Sequence, residues 1–139
     1  MASRKRYDMD KPIPIYVISG GTGASGEQLV RTVLAQFPDS QVSVWICAHV
    51  RQEAQLEQTI AEAARNKGIV VHTLVDPNLR QALIDLARAR GVFEVDLMGA
   101  LLAHLSERLG QEPIVHPGLY RRLRQAYFDC LVARRFKRE

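Results

Sequence analysis

Ser19-Gly20-Gly21-Thr22-Gly23-Ala24-Ser25-Gly26 stands between two apolar segments of different period. Before it, Ile15, Tyr16, Val17 and Ile18 form a short, partly β-branched run, which is how a buried central strand reads. After it, Leu29, Val30, Val33, Leu34 and Phe37 recur at helical spacing until Pro38 stops them. Ser25 stands three residues before Gln28, a capping-box spacing that starts the helix near Gly26. The unit is therefore strand, glycine turn, helix. Such a turn aims backbone N–H groups from the positive end of a helix dipole, where phosphate or carboxylate is held. Ser19, Gly20, Gly21, Thr22, Gly23, Ser25 and Gly26 are the candidate phosphate- or nucleotide-binding residues. The plainer alternative is a tight turn whose glycines only let helix and sheet approach.

Two nucleotide fingerprints can be compared with this turn. A P-loop requires Gly-x-x-x-x-Gly-Lys-Ser/Thr, and no lysine is here. Gly21-Thr22-Gly23-Ala24-Ser25-Gly26 does satisfy G-x-G-x-x-G, but a dinucleotide site also wants an acid at the end of the next strand. That strand ends at Ala48-His49-Val50, with no Asp or Glu before Glu53. The dinucleotide reading is weakened.

Beyond Phe37-Pro38-Asp39-Ser40, a turn, Gln41–Ala48 alternates as a second strand with one well-packed face. Gln52–Lys67 is rich in helix formers with an apolar stripe at Leu56, Ile60, Ala63 and Ala64, and Gly68 is placed to stop it. Ile69–Val75 is too hydrophobic for an exposed strand and should lie centrally in a parallel sheet. His72 within it reads as a hydrogen-bonded interior histidine. Asp76 caps and Pro77 opens a third helix that carries Leu79, Leu83, Ile84, Leu86 and Ala87 inward and ends at Gly91. Val92–Asp96 is a fourth strand, with Asp96 placed to cap Leu97–Leu109, which is apolar at Leu97, Met98, Leu101, Leu102, Leu105 and Leu109. Gln111–His116 is a linker, and Pro117 opens a last helix to about Phe136.

Strand and helix alternate, so the expected fold class is α/β: a parallel sheet of about four strands with helices on both faces, plus C-terminal helices. Ligands of such sheets sit beyond the carboxyl ends of the strands, where strand order reverses. The glycine turn, His49 and Asp76 all fall at such ends, which makes His49 and Asp76 the candidate rim of the site. Residues 1–12 read as a flexible arm led into the first strand by Pro12 and Pro14, and 13–139 as a single domain. The last helix has no strand to pair with. Its stripe of Leu119, Leu123, Tyr127, Leu131 and Val132 points to a homo-oligomer, the competing reading being a helix folded back over its own domain.

At 139 residues, nearly half of them apolar (47%), the chain can bury a proper core without disulfide staples. No apolar run approaches the roughly 20 residues of a membrane helix, and the polar N-terminus is no signal peptide. Cys47 and Cys130 are expected as reduced core thiols, and the location as cytoplasmic. Four histidines and two cysteines are scattered without metal-ligand spacing. Residues 118–139 carry seven basic side chains against Asp129 and Glu139, a net +5. A basic helix can bind nucleic acid, but aromatic residues are few and a solvated face explains the charge better.

Four stretches, in order, resemble the N-terminal part of the bacterial and plant regulatory proteins of pyruvate, phosphate dikinase and phosphoenolpyruvate synthase. They are VISGGTGASGEQLVRTVLAQFP (Val17–Pro38), GIVVHTLVDPNLRQAL (Gly68–Leu83), VDLMGALLAHL (Val95–Leu105) and PGLYRRLRQAYF (Pro117–Phe128). The resemblance implies a bifunctional enzyme that phosphorylates a threonine of its target with a nucleotide and removes the phosphate by phosphorolysis. It also implies that the P-loop lies in a second domain. No Gly-x-x-x-x-Gly-Lys occurs in the present sequence, so it is expected to be inactive alone. Where the family tends to have Asp, a small polar residue and later Glu, Gly20, Gly21 and Ala24 stand here. That makes the loop less negative, which favours an anion and removes any carboxylate-dependent role.

The resulting expectation is a regulatory or binding domain. Its candidate ligands are phosphate, ATP or ADP, its metal sites none, and its partners a dikinase-type target enzyme or a separate P-loop domain. One alternative is a small independent enzyme using Thr22 or Ser25 with His49 or His72 near a bound phosphate. Another is nucleic-acid binding through the basic last helix.

Overall fold

The computed structural model describes residues 12–117 together with 119, 120, 122–124 and 130. The element order is β1 (Ile13–Ile18), α1 (Ala24–Leu34), β2 (Val42–Cys47), α2 (Glu53–Arg65), β3 (Ile69–His72), α3 (Pro77–Arg90), β4 (Phe93–Asp96) and α4 (Gly99–Leu109). The four strands form one parallel sheet in the order β2-β1-β3-β4. The α/β expectation is met. The chain runs outward from β1 to β2 and then crosses back to β3, so strand order reverses between β1 and β3.

Two apolar layers follow from strand periodicity. Tyr16, Ile18 and Val70 point to the side where α2 and α3 supply Leu56, Ile60, Leu83 and Ala87, all essentially without exposure. Val17 and Val71 point to the other side, against Val30 of α1. Helices therefore cover both faces, but unequally: two on one side and α1 on the other. The α2 and α3 stripes are where the sequence periodicity puts them. On α1, by contrast, Leu29 and Val33 are exposed although they share the helical spacing, and Phe37, also exposed, lies beyond the helix end at Leu34.

Several boundaries differ from expectation for physical reasons. The helix α1 starts at Ala24, because Gly23 adopts φ 84° as its N-cap and accepts the Glu27 amide at 2.9 Å. Ser25 is thus already inside the helix, and no side-chain cap forms there. The capping box expected at Ser25–Gln28 is instead found on α2, between Gln52 and Gln55. Pro14, expected before the first strand, lies within β1 opposite Ser43. At the end of α2 the left-handed residue is Lys67 (φ 52°), not Gly68. Gly68 is needed for another reason: a Cβ there would lie 2.7 Å from Tyr16 Cε2 and 2.9 Å from the Pro14 carbonyl oxygen.

The strand β3 ends at His72 rather than Val75, since its partner β1 turns away at Ser19. The strand β2 is an edge, so Trp45 is 55% exposed and its better-packed face is thin. The helix α4 starts at Gly99, two residues late, because Asp96 Oδ1 accepts the Met98 and Gly99 amides at 3.0 and 2.7 Å. Cys47 is half-buried and Cys130 exposed; both are free thiols, so only the first belongs to a core. The expected arm, apart from Pro12, and most of the helix expected from Pro117 to Phe136 lie outside the described residues. Of the latter, Pro117 is in a turn, Leu119 is helical and partly buried, and Tyr120 and Leu123 are helical and exposed.

Candidate functional site

The glycine turn lies at the carboxyl end of β1, on the reversal of strand order. Backbone hydrogen bonds tie it to the neighbouring strand ends, beginning with the Ser19 amide, which donates to the Cys47 carbonyl at 3.0 Å. Val50 donates to the Ser19 carbonyl at 3.0 Å, His49 to the Gly21 carbonyl at 2.8 Å, and Thr73 to the Ile18 carbonyl at 3.1 Å. Within the turn, the Ser19 hydroxyl accepts the Gly21 amide at 3.0 Å and the Thr22 hydroxyl the Ala24 amide at 3.3 Å. The turn is therefore built by its own short-range bonds.

Glycine is required at two places. Gly23 combines a positive φ with a Cβ position only 2.5 Å from Ile46 Cγ2, and Gly26 lets α1 approach β1, since a Cβ there would stand 2.7 Å from Val17 Cγ1. The plain packing role of the glycines is thus fulfilled at Gly23 and Gly26. Thr22, Ala24 and Ser25 face solvent at the start of α1, and an open depression of about 710 Å³ lies there, lined by Thr22, Ala24, Glu27, Gln28, Arg31 and Thr32.

Where a dinucleotide site would carry an acid, the chain carries a cation. Arg51, just past the end of β2, donates from Nη1 to the Gly20 carbonyl, and to the Val50 carbonyl at 3.2 Å. Sequence reading missed Arg51. Its signal was available: a basic side chain two residues after His49, at the carboxyl end of a strand adjacent to the turn. His49 itself is exposed with φ 55° and joins the turn through its backbone.

Asp76 is used differently from a ligand-binding rim. Its Oδ1 accepts the Asn78 and Leu79 amides at 2.8 and 3.4 Å, so its carboxylate caps α3. His72 is likewise committed to the interior. It is 0% exposed, and its Nε2 lies 3.2 Å from Glu94 Oε2, while Nδ1 has no partner. Cross-strand from it, Asp96 Oδ2 accepts from Arg80 Nη2 at 2.7 Å and Nε at 3.2 Å. The structure thus gathers Ser19–Gly26 with the His49 backbone and Arg51, while Asp76 caps α3 and His72 meets Glu94.

The charges of the inner cluster are set by burial against hydrogen bonding. Burial pushes the His72 imidazole below its ordinary pKa, and Arg80 adds to this, against the upward pull of Asp96 and Glu94. Burial alone would raise the Asp96 carboxyl, but hydrogen bonds from the Met98 amide, Arg80 and the Gly99 amide hold it below the usual range. At Cys47 burial raises the thiol, despite the Thr59 hydroxyl at 3.7 Å, so it stays protonated and is no nucleophile.

The depressed His72 sets a pH dependence. The unfolded chain takes up a proton at about pH 6.5, before the folded chain does, so stability is expected to fall as pH drops below that value. Urea midpoints from pH 7.5 to 5 measure it. In His72→Gln, which titrates in neither state, that slope should be flatter.

Among the described residues no helix is long and apolar enough to cross a membrane, and no group of side chains is arranged to hold a metal ion. The chain is similar to proteins already classified. The family model described as Kinase/pyrophosphorylase matches residues 15–138. Relatives carrying the name pyruvate, phosphate dikinase regulatory protein include one from Chloroflexus aurantiacus, 43% identical over 129 residues, which spans 89% of this chain and 46% of the relative. One from Desulfotalea psychrophila is 37% identical over 111 residues, 80% of this chain and 39% of the relative. One from Pelobacter propionicus is 37% identical over 122 residues, 88% of this chain and 44% of the relative. The chain spans less than half the length of these curated relatives.

Proposed function

Because this chain belongs to the kinase/pyrophosphorylase family, we propose that it is a regulatory domain acting on a dikinase-type target enzyme in the cytoplasm, and that its glycine turn holds a phosphate-type anion. The observation that carries the anion reading is the pairing of a helix start at Gly23 with a cation. The N-cap of α1, Gly23, has no side chain to cap the first turn, where the Thr22 hydroxyl takes the Ala24 amide, and Arg51 sits on the carbonyl of Gly20. Exposed amides and a guanidinium together favour an oxyanion over a neutral ligand. Inorganic phosphate, and the phosphates of ATP or ADP, are the ligands of that chemistry.

Calorimetry with inorganic phosphate, ADP and ATP at millimolar concentration tests the reading. Binding to the wild type is expected, and Arg51→Ala should weaken it about tenfold, the value of one charge-assisted hydrogen bond. No heat with any of the three would end the anion reading. The chain alone supplies no Gly-x-x-x-x-Gly-Lys cradle, so phosphoryl transfer to a target threonine is not part of what it does by itself. Self-association through residues 117–136 belongs to the same proposal, and sedimentation at high micromolar concentration reads it.

A further inference from the structure

The segment that follows α4 returns to the glycine turn. Gln111–His116 is exposed and without regular structure. Its near end is tied to α4, where the Ser106 hydroxyl donates to the Gln111 carbonyl at 2.6 Å and the Gln111 amide to the Ser106 carbonyl at 3.2 Å. Its far end, Pro117, is half-buried against the turn. A Cβ built on Gly20 would lie 3.2 Å from both Cβ and Cγ of Pro117, and 3.5 Å from Arg51 Nη1. The proline ring and the guanidinium therefore stand over the same point of the turn.

Two features suit a segment that opens as well as closes. Val115 has φ 57°, a left-handed conformation in which a β-branched side chain is strained. The strain persists while the segment is held at both ends and is relieved when the far end lets go. The contact of Pro117 on Gly20 is apolar and small. A proline ring brings no N–H to the turn, so it covers the backbone beside Arg51 without offering a donor to a ligand. An oxyanion that comes to Arg51 across Gly20 meets that ring.

We propose that Gln111–Pro117 is a strap closed over the glycine turn, and that its closure and the binding of a phosphate-type anion at Arg51 exclude one another. The inference rests on the anion reading of the turn and adds its regulation. Whatever holds the strap shut lowers the affinity for the anion, and the anion loosens the strap in return. The apparent affinity is reduced in proportion to the fraction of chains that are open.

Calorimetry with inorganic phosphate on three chains tests it. Pro117→Gly removes the ring from Gly20 and is expected to tighten phosphate binding about threefold relative to the wild type. Val115→Asn exchanges the strained valine for a residue that accepts the left-handed region. That steadies the closed strap and should weaken binding by about the same factor. A general loss of structure would weaken binding in both variants, so the opposite signs are particular to a strap. Wild-type binding that neither variant changes, or that Pro117→Gly weakens, overturns the strap and leaves the anion reading standing. Silence of all three chains ends the anion reading and the strap together.

Discussion

A Gly23→Val chain is expected to lose both its anion binding and about 3 kcal/mol of stability. Two costs combine. Valine at φ 84° puts a β-branched side chain in the left-handed region, and its Cβ would meet Ile46 Cγ2 at 2.5 Å. Ile46 lies on the edge strand β2 and is partly exposed, so it can give way somewhat, which keeps the packing cost at the lower end. The start of α1 cannot give way in the same manner, because the Gly23 carbonyl accepts the Glu27 amide. The amides offered to an anion therefore turn away. Urea unfolding reads the first loss and phosphate calorimetry the second. Gly23→Ala separates them: it keeps most of the backbone strain but removes the branch, so it should fall between wild type and valine.

Asp96→Ala should cost a similar amount, about 3 kcal/mol, through a different route. Its carboxylate accepts two hydrogen bonds from Arg80 and one each from the Met98 and Gly99 amides. Alanine leaves a largely buried guanidinium without its anion and frees the entry to α4. Asp96→Asn keeps an acceptor for the amides and should lose roughly half as much. The pH dependence carries the sign of a lowered carboxyl. The contribution of Asp96 is full above its unfolded value of 3.8 and disappears as pH falls through its lower folded value. The gap between wild type and Asp96→Ala therefore closes in strong acid, and thermal melts at pH 7 and near pH 2 measure it.

Much of this fold is written in local chemistry. The strand–turn–helix unit, the parallel sheet and the stripes of α2 and α3 could be read because each depends on neighbours a few residues away. The cap at Asp76 and the second cap at Asp96 were legible for the same reason. The Ser25 capping box failed because Gly23, with its positive φ, brings the helix in two residues earlier, a geometry that spacing alone does not show. Periodicity marked the apolar sides of α1 and α4 but could not say that, among the described residues, much of them stays exposed. Exposure depends on which layers exist, and that is a property of the whole molecule. In the site, the glycines were legible as backbone requirements. Arg51 offered only its place, two residues after His49, while the contact with Gly20 that gives it weight joins positions far apart along the chain. His72 was legible as an interior histidine from the apolar run around it, and the structure adds its partner, Glu94.

The place of β1 in the sheet bears on how the chain folds as it leaves the ribosome. It is made first, yet it lies between β2 and β3. Once residue 47 has emerged, β1 and β2 can pair around α1, giving a two-stranded unit whose β1 edge and one face still await their partners. Neither can be closed until residues 69–72 arrive to pair with Ile15–Ile18, and the layer of α2 and α3 is complete only past Val92. For the time it takes to synthesise that interval, the buried strand β1 is held open. Slow codons between residues 47 and 69 would prolong that exposure, and fast ones would shorten it.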